Sequence, residues 1–491
     1  MKLIFRSADR ESVHEPRYWT FFSRELLPCG SDRSAKRRDD TMDTTNTRAT
    51  VLLQLGESMT SQVISPFAPQ LIRDLGVAGG DETKVGYYVG MLYSVFFLTE
   101  ACTVLHWSQL SDKVGRKPAI LIGTFGLSIS MYYFGLSTTF LGVIFSRASN
   151  GALNGNIAVM KSMVTELTDS TNIAQAFAYN SLAWASGGTL GPFIGGLLAR
   201  PAERFPSIFG NNAFLKKHPY FLPCAVPATY SACAWLIAYL FLKETVQRPI
   251  SIRELVFKSA NKSRPSTNPD TIITEDTNRP LPLKSLLVTR VVVAGSNYVF
   301  LSLVDISFRV VQPLFLSTPI ALGGLGLPPS TIGSILSFFG IIHGIFQVFF
   351  FAKINDRWGP KRVFLAGIGV CIPLYLLFPV INYLASTQGL MPVVWAAVFV
   401  QATLSIPLNC AYGAIFIFIA AATPNKASVG ATNGLCQVAV CVARGLGPGI
   451  VSSLFSLSIA HGWFGGYLVY YMFVMVVGVA LFVGSKLPHS L

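Results

Sequence analysis

Ionisable side chains interrupt stretches of this sequence that are otherwise strongly apolar. At the centre of a lipid bilayer such a side chain costs roughly 2.5–3.5 kcal/mol, so each one needs a physical reason. A buried carboxylate tends to keep its proton, whereas a nearby arginine favours its release, and this opposition allows proton exchange. The side chains in question are Glu57, Glu100, Arg147, Asp305, Arg309 and Arg444.

Three of these residues lie in the first half of the chain. Arg147 does not give up its proton, so its expected role is to tune a nearby carboxylate. Glu57 and Glu100 are the acids that we expect to exchange protons. A static pair that merely satisfies a polar interior is the alternative for both acids, while for Arg147 we favour the functional role.

The other three residues lie in the second half. Asp305 and Arg309 are four residues apart, share one helix face and can neutralise each other. We favour a structural role for this pair, with cavity lining as the alternative. Arg444 could bind an anionic substrate or pair with a carboxylate across the bundle. Aromatic and amide side chains could also line a cavity for amphipathic molecules; these are Asn154, Asn156, Tyr179, Asn180, Trp184, Tyr298 and Gln437.

The elements that must hold these residues are membrane-spanning helices. The chain has 491 residues, of which 51% are hydrophobic and 13% charged, and its mean hydropathy is +0.50. Soluble proteins carry about 25% charged residues, so lipid must be the solvent for much of this chain. Twelve apolar runs have the length of a spanning helix, which is about 20 residues. They cover residues 49–67, 85–106, 118–136, 139–161, 174–199, 220–242, 287–313, 329–352, 363–384, 391–420, 429–458 and 463–485.

These runs divide into two sets of six, which predicts an all-α membrane protein with twelve transmembrane helices in two pseudo-symmetric bundles. Residues 1–48 are polar and basic, and we expect them to form a disordered cytoplasmic tail. The two six-helix bundles are expected at residues 49–242 and 287–485. A polar cytoplasmic linker at 243–286 separates them, and residues 486–491 form a short cytoplasmic tail.

The net charge of +14 is distributed between the apolar runs, which indicates orientation in a membrane and excludes nucleic acid as the expected partner. With twelve helices both termini lie on one side, and the positive-inside rule places that side in the cytoplasm. We expect a monomer in the plasma membrane, with the vacuolar membrane as the alternative. The short loops that carry this charge contain Lys113, Arg116, Lys117, Lys353, Arg357, Lys361 and Arg362.

The eight cysteines show no C-x-x-C spacing, and no acidic cluster offers metal ligands. We therefore expect neither a metal nor a cofactor, and a proton gradient as the energy source.

Two internal repeats support the division into halves. Residues 112–118 are DKVGRKP, and residues 356–362 are DRWGPKR, 244 positions later. Gly115 permits a tight turn between two helices. A Gly-rich segment recurs as well, as GGTLGP at 187–192 and as GLGPG at 445–449. Such duplication is expected of a secondary transporter.

The charged turn and the Gly-Pro segment are candidates for gating. Asp112 can accept hydrogen bonds from neighbouring backbone or from Arg116, and an ion pair on one face can break when the halves move. Charge that only sets the topology is the alternative, although it does not require an aspartate and a glycine at these places. The candidate gating and coupling residues are Asp112, Gly115, Arg116, Lys117, Gly191, Pro192, Asp356 and Arg357, together with Glu57, Glu100 and Arg147.

The segment SDKVGRK at 111–117 resembles the signature loop of the major facilitator superfamily, G-x-L-S-D-[RK]-x-G-R-[RK], with Ser108 in place of the first glycine. Arg147, Gly151 and Gly155 are similar to the arginine motif of that family, which is linked to proton coupling. The resemblance covers about residues 49–485.

The segment GPFIGG at 191–196 resembles the antiporter motif, found chiefly in proton-driven drug exporters with twelve helices. The sequence is also similar to fungal relatives of tetracycline efflux pumps and to plant zinc-induced-facilitator-like proteins.

The resemblance implies a transporter and not an enzyme. We expect proton-coupled efflux of a drug, toxin or secondary metabolite by alternating access. A nutrient or organic-acid importer of the same fold is one alternative, and a membrane sensor that does not transport is another. The first half keeps Arg116 and Arg147, whereas the second half has Pro360 in place of the loop arginine. We therefore assign proton coupling mainly to the first six helices and cargo binding mainly to the last six.

Overall fold

Regular structure is helical throughout the part of the chain that the structure describes. The computed structural model describes residues 44–167, 173–245, 283–424 and 429–488. Within these ranges twelve long helices follow one another, and three of them consist of two segments. They are α1 (Thr44–Gln62), α2 (Val85–Val114), α3 (Arg116–Leu136), α4 (Phe140–Leu153 and Asn156–Leu167), α5 (Ile173–Leu198), α6 (Phe221–Phe241), α7 (Thr289–Ser317), α8 (Pro329–Trp358), α9 (Pro360–Gly369 and Cys371–Gln388), α10 (Pro392–Leu404 and Ile406–Ala422), α11 (Val429–Ala460) and α12 (Leu468–Ser485).

Short helices occupy some of the connections. They are Ala68–Asp74 after α1, Pro201–Arg204, Pro206–Phe209 and Ala213–Lys217 between α5 and α6, and the 3-10 turns Glu82–Lys84, Leu283–Leu286, Ile320–Leu322 and Trp463–Gly466.

Local sequence explains where helices break and turn. Pro407 lies at the start of the second segment of α10, where its ring is incompatible with an uninterrupted helix. Gly115 joins α2 to α3 with a φ of 113°, and Gly359 joins α8 to α9 with a φ of 76°. Glycine adopts such positive φ angles without steric cost, so the tight turn predicted at Gly115 is confirmed.

The helices have the length and composition of membrane spans. Within the described ranges, nine segments are long and apolar enough to cross a bilayer. Of the helices outside these nine, α1 carries Glu57 and α4 carries Arg147, both inside the bundle. A spanning helix satisfies its backbone hydrogen bonds internally, which is why lipid favours this fold.

Helices α1–α6 form one bundle and α7–α12 the other. The two bundles meet mainly through α2 with α11 and through α5 with α8. We call the end of the molecule at which α2 and α8 finish, at Val114 and Trp358, the basic end. The end at which α7 finishes, at Ser317, is the opposite end.

The predicted domain boundaries can be compared with the structure only where residues are described. Helix α1 begins at Thr44, inside the segment 1–48 that the sequence predicts to be a tail. The described residues from Thr45 onward belong to one compact unit. Most of the predicted linker, the start of the chain and its last residues lie outside the described ranges, so the predicted domain boundaries stay predictions.

Candidate functional site

The basic end holds a network around Arg116, the first residue of α3. Its guanidinium donates from Nε and Nη2 to Oε1 of Glu166, at 3.1 and 2.8 Å, and from Nη1 to Oγ of Ser111, at 2.6 Å. The carboxylate of Glu244 accepts the backbone N–H groups of Arg116 and Lys117, at 2.8 and 3.0 Å. A carboxylate in this position satisfies donors that the first turn of a helix leaves open.

This network ties the end of α2, the start of α3, the end of α4 and the chain after α6 to one another. Only 8% of Arg116 is exposed. Its guanidinium is hydrogen-bonded to Glu166 and Ser111, which both belong to the first half. The sequence singled out Arg116 but missed Glu166 and Glu244, because no motif marks them. The side chain of Asp112 lies outside the described residues, and its gating role stays a prediction.

Lys117 and Lys361 occupy matching places in the two halves. Nζ of Lys117 donates to the backbone oxygen of Tyr239, near the end of α6, at 2.9 Å. Nζ of Lys361 donates to the backbone oxygens of Ser485 and Leu487, at the end of α12, at 2.9 and 2.5 Å. Each lysine satisfies carbonyl groups that a helix C-terminus leaves open. The repeat therefore fixes the last helix of each half to its charged turn.

The second charged turn has no counterpart to Arg116, since Pro360 occupies that place. Asp356 and Arg357 are both exposed in the last turn of α8. Neither forms an ion pair with any residue in the described ranges. The two turns are thus unequal in structure as well as in sequence.

Arg147 on α4 is almost fully buried, with 2% of its surface exposed. Its guanidinium carbon lies 4.5 Å from the centroid of the Phe96 ring, a contact that contributes about 0.5–2 kcal/mol. Tyr93 and Glu100 on α2 are close enough to interact with it electrostatically. Its Nε and Nη1 atoms have no hydrogen-bond partner among the residues described. The structure therefore places Glu100 close enough to Arg147 for an electrostatic interaction.

The other polar candidates of the first half are also buried. Glu57 on α1 is 3% exposed, and Asn154, which ends the first segment of α4, is 4% exposed. Oδ1 of Asn154 has no hydrogen-bond partner in the part of the chain that is described. The side chain of Asn156 lies outside the described residues.

The glycines of the arginine motif allow α4 to pack closely on α2. A Cβ at Gly151 would overlap the backbone oxygen of Phe96, and one at Gly155 would overlap the ring of Trp107. Nε1 of Trp107 donates to the backbone oxygen of Ala152 at 2.8 Å. These glycines hold the helix that carries Arg147 against the helix that carries Glu100.

The Gly-Pro segment of α5 faces α1 along one row of glycines. Gly187 and Gly191 lie against the backbone of α1, and a Cβ at Gly195 would overlap the carbonyl oxygen of Val63, the residue that follows α1. Oγ of Ser58 donates to the backbone oxygen of Trp184 at 2.6 Å. Small residues at this spacing let two helices approach closely inside a membrane.

A second face of the same segment approaches the other half of the protein. A Cβ at Gly196 would lie 2.8 Å from Cα of Gly333 on α8, and one at Gly333 would overlap the carbonyl oxygen of Pro192. The predicted coupling residues Gly191 and Pro192 therefore lie where α5 contacts both α1 and α8. Tyr179 is exposed and Trp184 half-buried on the same helix.

The charged residues of the second half form one chain of contacts. Nε of Arg309 donates to both carboxylate oxygens of Asp305, at 2.9 and 3.0 Å. The hydroxyl of Tyr412, on α10, donates to Oδ2 of Asp305 at 3.0 Å. Nη2 of Arg444, on α11, donates to the Tyr412 hydroxyl at 3.2 Å, and its Nε donates to Oγ of Ser302 at 2.6 Å. The predicted Asp305–Arg309 pair is thus present, and Tyr412 connects it to Arg444.

Aromatic and amide side chains surround this group of charged residues. The Tyr298 hydroxyl donates to Oε1 of Gln437 at 3.1 Å. The rings of Tyr412 and Phe416 lie 6.2 and 5.3 Å from the ring of Tyr298. Nη2 of Arg309 donates to Oδ1 of Asn409 at 3.4 Å. Of these residues the sequence predicted Tyr298 and Gln437, but it missed Tyr412, whose role depends on its position between two charged groups.

At the opposite end, Arg73 joins the two halves. Its Nη1 and Nη2 donate to the hydroxyl and backbone oxygens of Ser317, at 2.7 and 2.9 Å. Its Nε forms an ion pair with Glu82 at 2.9 Å. A cavity of about 970 Å³ opens beside this contact and is lined in part by Arg200 and Leu327.

Tyr220, which precedes α6, supports the same end of the first half. Its hydroxyl donates a hydrogen bond to Asp74, which also forms an ion pair with Arg200 at 3.2 Å. Burial, reinforced by the neighbouring Asp74, raises the pKa of Tyr220 well above its usual value. The phenol therefore keeps its proton and remains a donor.

Within the described ranges, no group of three or more His, Cys, Asp or Glu side chains could hold a metal ion.

The Major Facilitator Superfamily profile matches residues 50–448. The chain is similar to "Major facilitator-type transporter psiT2" of Psilocybe cubensis, with 30% identity over 445 residues that cover 84% of each chain. It is also similar to "Major facilitator superfamily multidrug transporter mfsB" of Aspergillus fumigatus, with 27% identity over 84% of this chain and 78% of that protein.

Among solved structures, a bacterial homolog of the human lysosomal transporter Spinster, crystallised in an inward-facing and unoccupied conformation, matches with a TM-score of 0.66. The match covers 91% of this chain and 98% of the other at 15% identity, and this likeness shows the fold alone.

Proposed function

Since this chain belongs to the major facilitator superfamily and is a multi-pass membrane transporter rather than an enzyme, we propose that it exports a small organic molecule in exchange for protons. The cargo is a drug, a toxin or a secondary metabolite, and transport follows alternating access. The protein works as a monomer and needs no cofactor beyond the proton gradient.

One observation carries this proposal: Arg147 is buried on α4 within electrostatic range of Glu100 on α2. A carboxyl group held beside a guanidinium away from lipid can bind or release a proton when the distance between the two groups changes. Glu57, buried on α1, is the second acid of this half. Glycines at the α2–α4 interface position the pair, so small helix movements would alter it.

Export rather than import is supported by the resemblance of the Gly-Pro segment of α5 to the antiporter motif of drug exporters. Its glycines contact α1, which carries Glu57, while Pro192 and Gly196 contact α8 in the other half. A movement of α5 relative to α8 would therefore also shift α1, the helix that carries the candidate proton carrier Glu57. A relative from Aspergillus niger with 26% identity is named an efflux pump, which agrees with export.

We place both termini in the cytoplasm and the protein in the plasma membrane, with the vacuolar membrane as the alternative. The basic end, with Lys117 and Lys361 at the helix ends, then faces the cytoplasm in accordance with the positive-inside rule.

The test uses the purified protein in proteoliposomes with three fluorescent probes of matched size: anionic dansylglycine, neutral dansylglycinamide and cationic dansylethylenediamine. For a proton antiporter, vesicles that are acidic inside should accumulate a transported probe against its gradient. A proton symporter should accumulate the probe only when the outside is acidic. A membrane sensor should transport none of the three, whichever way the pH gradient is directed.

Two substitutions examine the coupling mechanism in the same vesicles. Arg147→Ala and Asp112→Asn should abolish the response to the pH gradient while the protein stays folded in the membrane. Lys486→Gln removes an exposed positive charge at the end of the last helix and serves as the matched control. Full gradient-driven transport in both Arg147→Ala and Asp112→Asn would contradict the mechanism.

A further inference from the structure

The second half contains more positive than negative charge near the middle of the membrane. Arg309 and Arg444 each carry a full positive charge, and Asp305 is the one carboxylate that contacts this group among the residues described. His343 on α8 lies close enough to interact electrostatically with Arg309 and Asp305. Even with a neutral imidazole, one guanidinium remains without an opposite charge, which is costly in a membrane interior.

Arg444 is the guanidinium that lacks a carboxylate partner. Its two hydrogen bonds end on neutral hydroxyl groups, those of Ser302 and Tyr412. Nη1 makes no hydrogen bond to any described residue. The side chain is half-buried, in contrast to Arg147, of which only 2% is exposed. Part of Arg444 is therefore accessible to a ligand, whereas Arg147 is almost fully covered.

The carboxylate of Asp305 is already engaged. Both of its oxygens accept from Nε of Arg309, and one also accepts from Tyr412. Its side chain is 8% exposed, compared with 40% for that of Arg309. A cationic group would have to displace these donors and would face two guanidinium groups. The cluster is therefore suited to a negative ligand and unsuited to a positive one.

An aromatic surface adjoins Arg444. Tyr298 lies close enough to interact with it electrostatically, and the rings of Tyr412 and Phe416 pack edge-on or tilted against Tyr298 and each other. Gln437 accepts a hydrogen bond from the Tyr298 hydroxyl beside this surface. Apolar and aromatic walls with a few placed polar groups are typical of sites for small organic molecules.

We propose that Arg444 binds an anionic group of the cargo, a carboxylate, sulfate or phosphate, whose apolar body lies against Tyr298 and Phe416. This inference rests on the proposed transport function and specifies its substrate class. Binding of the anion to Nη1 supplies the missing negative charge. Tyr412 then links the occupied Arg444 to the Asp305–Arg309 pair through its hydroxyl group.

The test measures equilibrium binding of the three dansyl probes to the full-length purified protein through the blue shift of their emission. Dansylglycine should bind at least about ten-fold more tightly than dansylglycinamide or dansylethylenediamine. Arg444→Gln should weaken dansylglycine binding by about ten-fold or more and leave dansylglycinamide binding unchanged. Lys486→Gln, which removes a charge outside the cluster, should alter neither.

Other results would overturn the inference. These are equal binding of the three probes, preference for the cationic probe, unchanged dansylglycine binding in Arg444→Gln, or no saturable dansylglycine binding up to about 1 mM. If Arg444→Gln fails to fold, Arg444→Lys and Tyr412→Phe take its place. Each variant keeps the positive charge and should weaken binding of the anionic probe selectively, by a few-fold. An equal loss of binding for all three probes would count against the proposal.

Transport and binding separate the two proposals. Anion-selective binding that depends on Arg444, together with symport or no proton coupling, supports the anion site and contradicts proton-driven export. Proton-driven export of the neutral or cationic probe without anion preference supports the transport mechanism and contradicts the anion site.

Discussion

Arg73 reaches across the opposite end of the molecule and donates two hydrogen bonds to Ser317, one to its hydroxyl group and one to its backbone oxygen. Glu82 holds the guanidinium in place through an ion pair at 2.9 Å. The contact joins the short helix after α1 to the end of α7 and so connects the first half with the second. It therefore holds the two halves together at the opposite end.

Arg73→Gln is expected to increase the population that is open at the opposite end by about five-fold, because a hydrogen bond from a charged donor in a partly exposed place contributes on the order of 1 kcal/mol. Spin labels at Ile208 and Leu390, in a background without the eight native cysteines, report the distance between the halves at this end. Arg204→Gln is the control, since Arg204 lines the same cavity and contacts the ring of Phe205 in its own half. An unchanged distance distribution in Arg73→Gln would show that the contact does not hold the two halves together at this end.

Gly195→Ala is expected to destabilise the protein by about 1–3 kcal/mol, because its Cβ would overlap the carbonyl oxygen of Val63 and force α5 away from α1. Gly188→Ala is the matched control in the same helix, since the nearest atom to its Cβ is Oγ of Ser58 at 3.9 Å. The measurement is the thermal unfolding midpoint of the purified variants, with gradient-driven transport as a second readout. Equal midpoints for the two variants would argue against a close helix contact at Gly195.

Glu244→Ala is expected to lower stability by about 0.5–2 kcal/mol, because it removes the carboxylate that caps the first turn of α3. The midpoint of thermal unfolding should fall by a few degrees. Glu203→Ala removes a carboxylate whose side chain is 66% exposed and paired only at the surface, so its midpoint should hardly change. A larger loss in Glu203→Ala than in Glu244→Ala would contradict the capping role.

Tyr220→Phe is expected to cost about 1–2 kcal/mol at neutral pH, because Asp74 loses a buried donor. Burial and Asp74 raise the pKa of Tyr220 in the folded protein. Its stabilising contribution is therefore complete below the unfolded tyrosine pKa of about 10 and declines as the pH rises through the higher folded value.

The stability difference between the wild-type protein and Tyr220→Phe should accordingly be constant from pH 6 to 9, about the range in which tyrosine keeps its proton, and narrow in more alkaline solution. Thermal unfolding across this series provides the measurement. Tyr239→Phe, which alters an exposed tyrosine at the end of α6, should show no such pH dependence. A stability difference that widens in alkaline solution would contradict the predicted direction of the pH dependence.

Much of the architecture follows from the sequence because lipid leaves the backbone few choices. An apolar run of about 20 residues must satisfy its own hydrogen bonds, so the twelve predicted runs correspond to twelve helices. The turn at Gly115 was equally predictable, since it depends on residues that are adjacent in the chain. Arg147 and Asp305 could likewise be assigned to the interior from the sequence, because each is an ionisable residue within an apolar run.

The Asp305–Arg309 pair was predictable from its spacing of four residues, but the partners on other helices were decided by the tertiary structure. Arg116 binds Glu166 and Glu244, which are 50 and 128 positions away, and no motif connects them. Tyr412 links Asp305 to Arg444 only because α7, α10 and α11 turn the three side chains toward one another. Sequence periodicity fixes which residues share a helix face, but the rotation and crossing of distant helices set which faces meet. The sequence by itself therefore determined the helices and their charged residues, whereas packing between distant helices determined which of those charges act together.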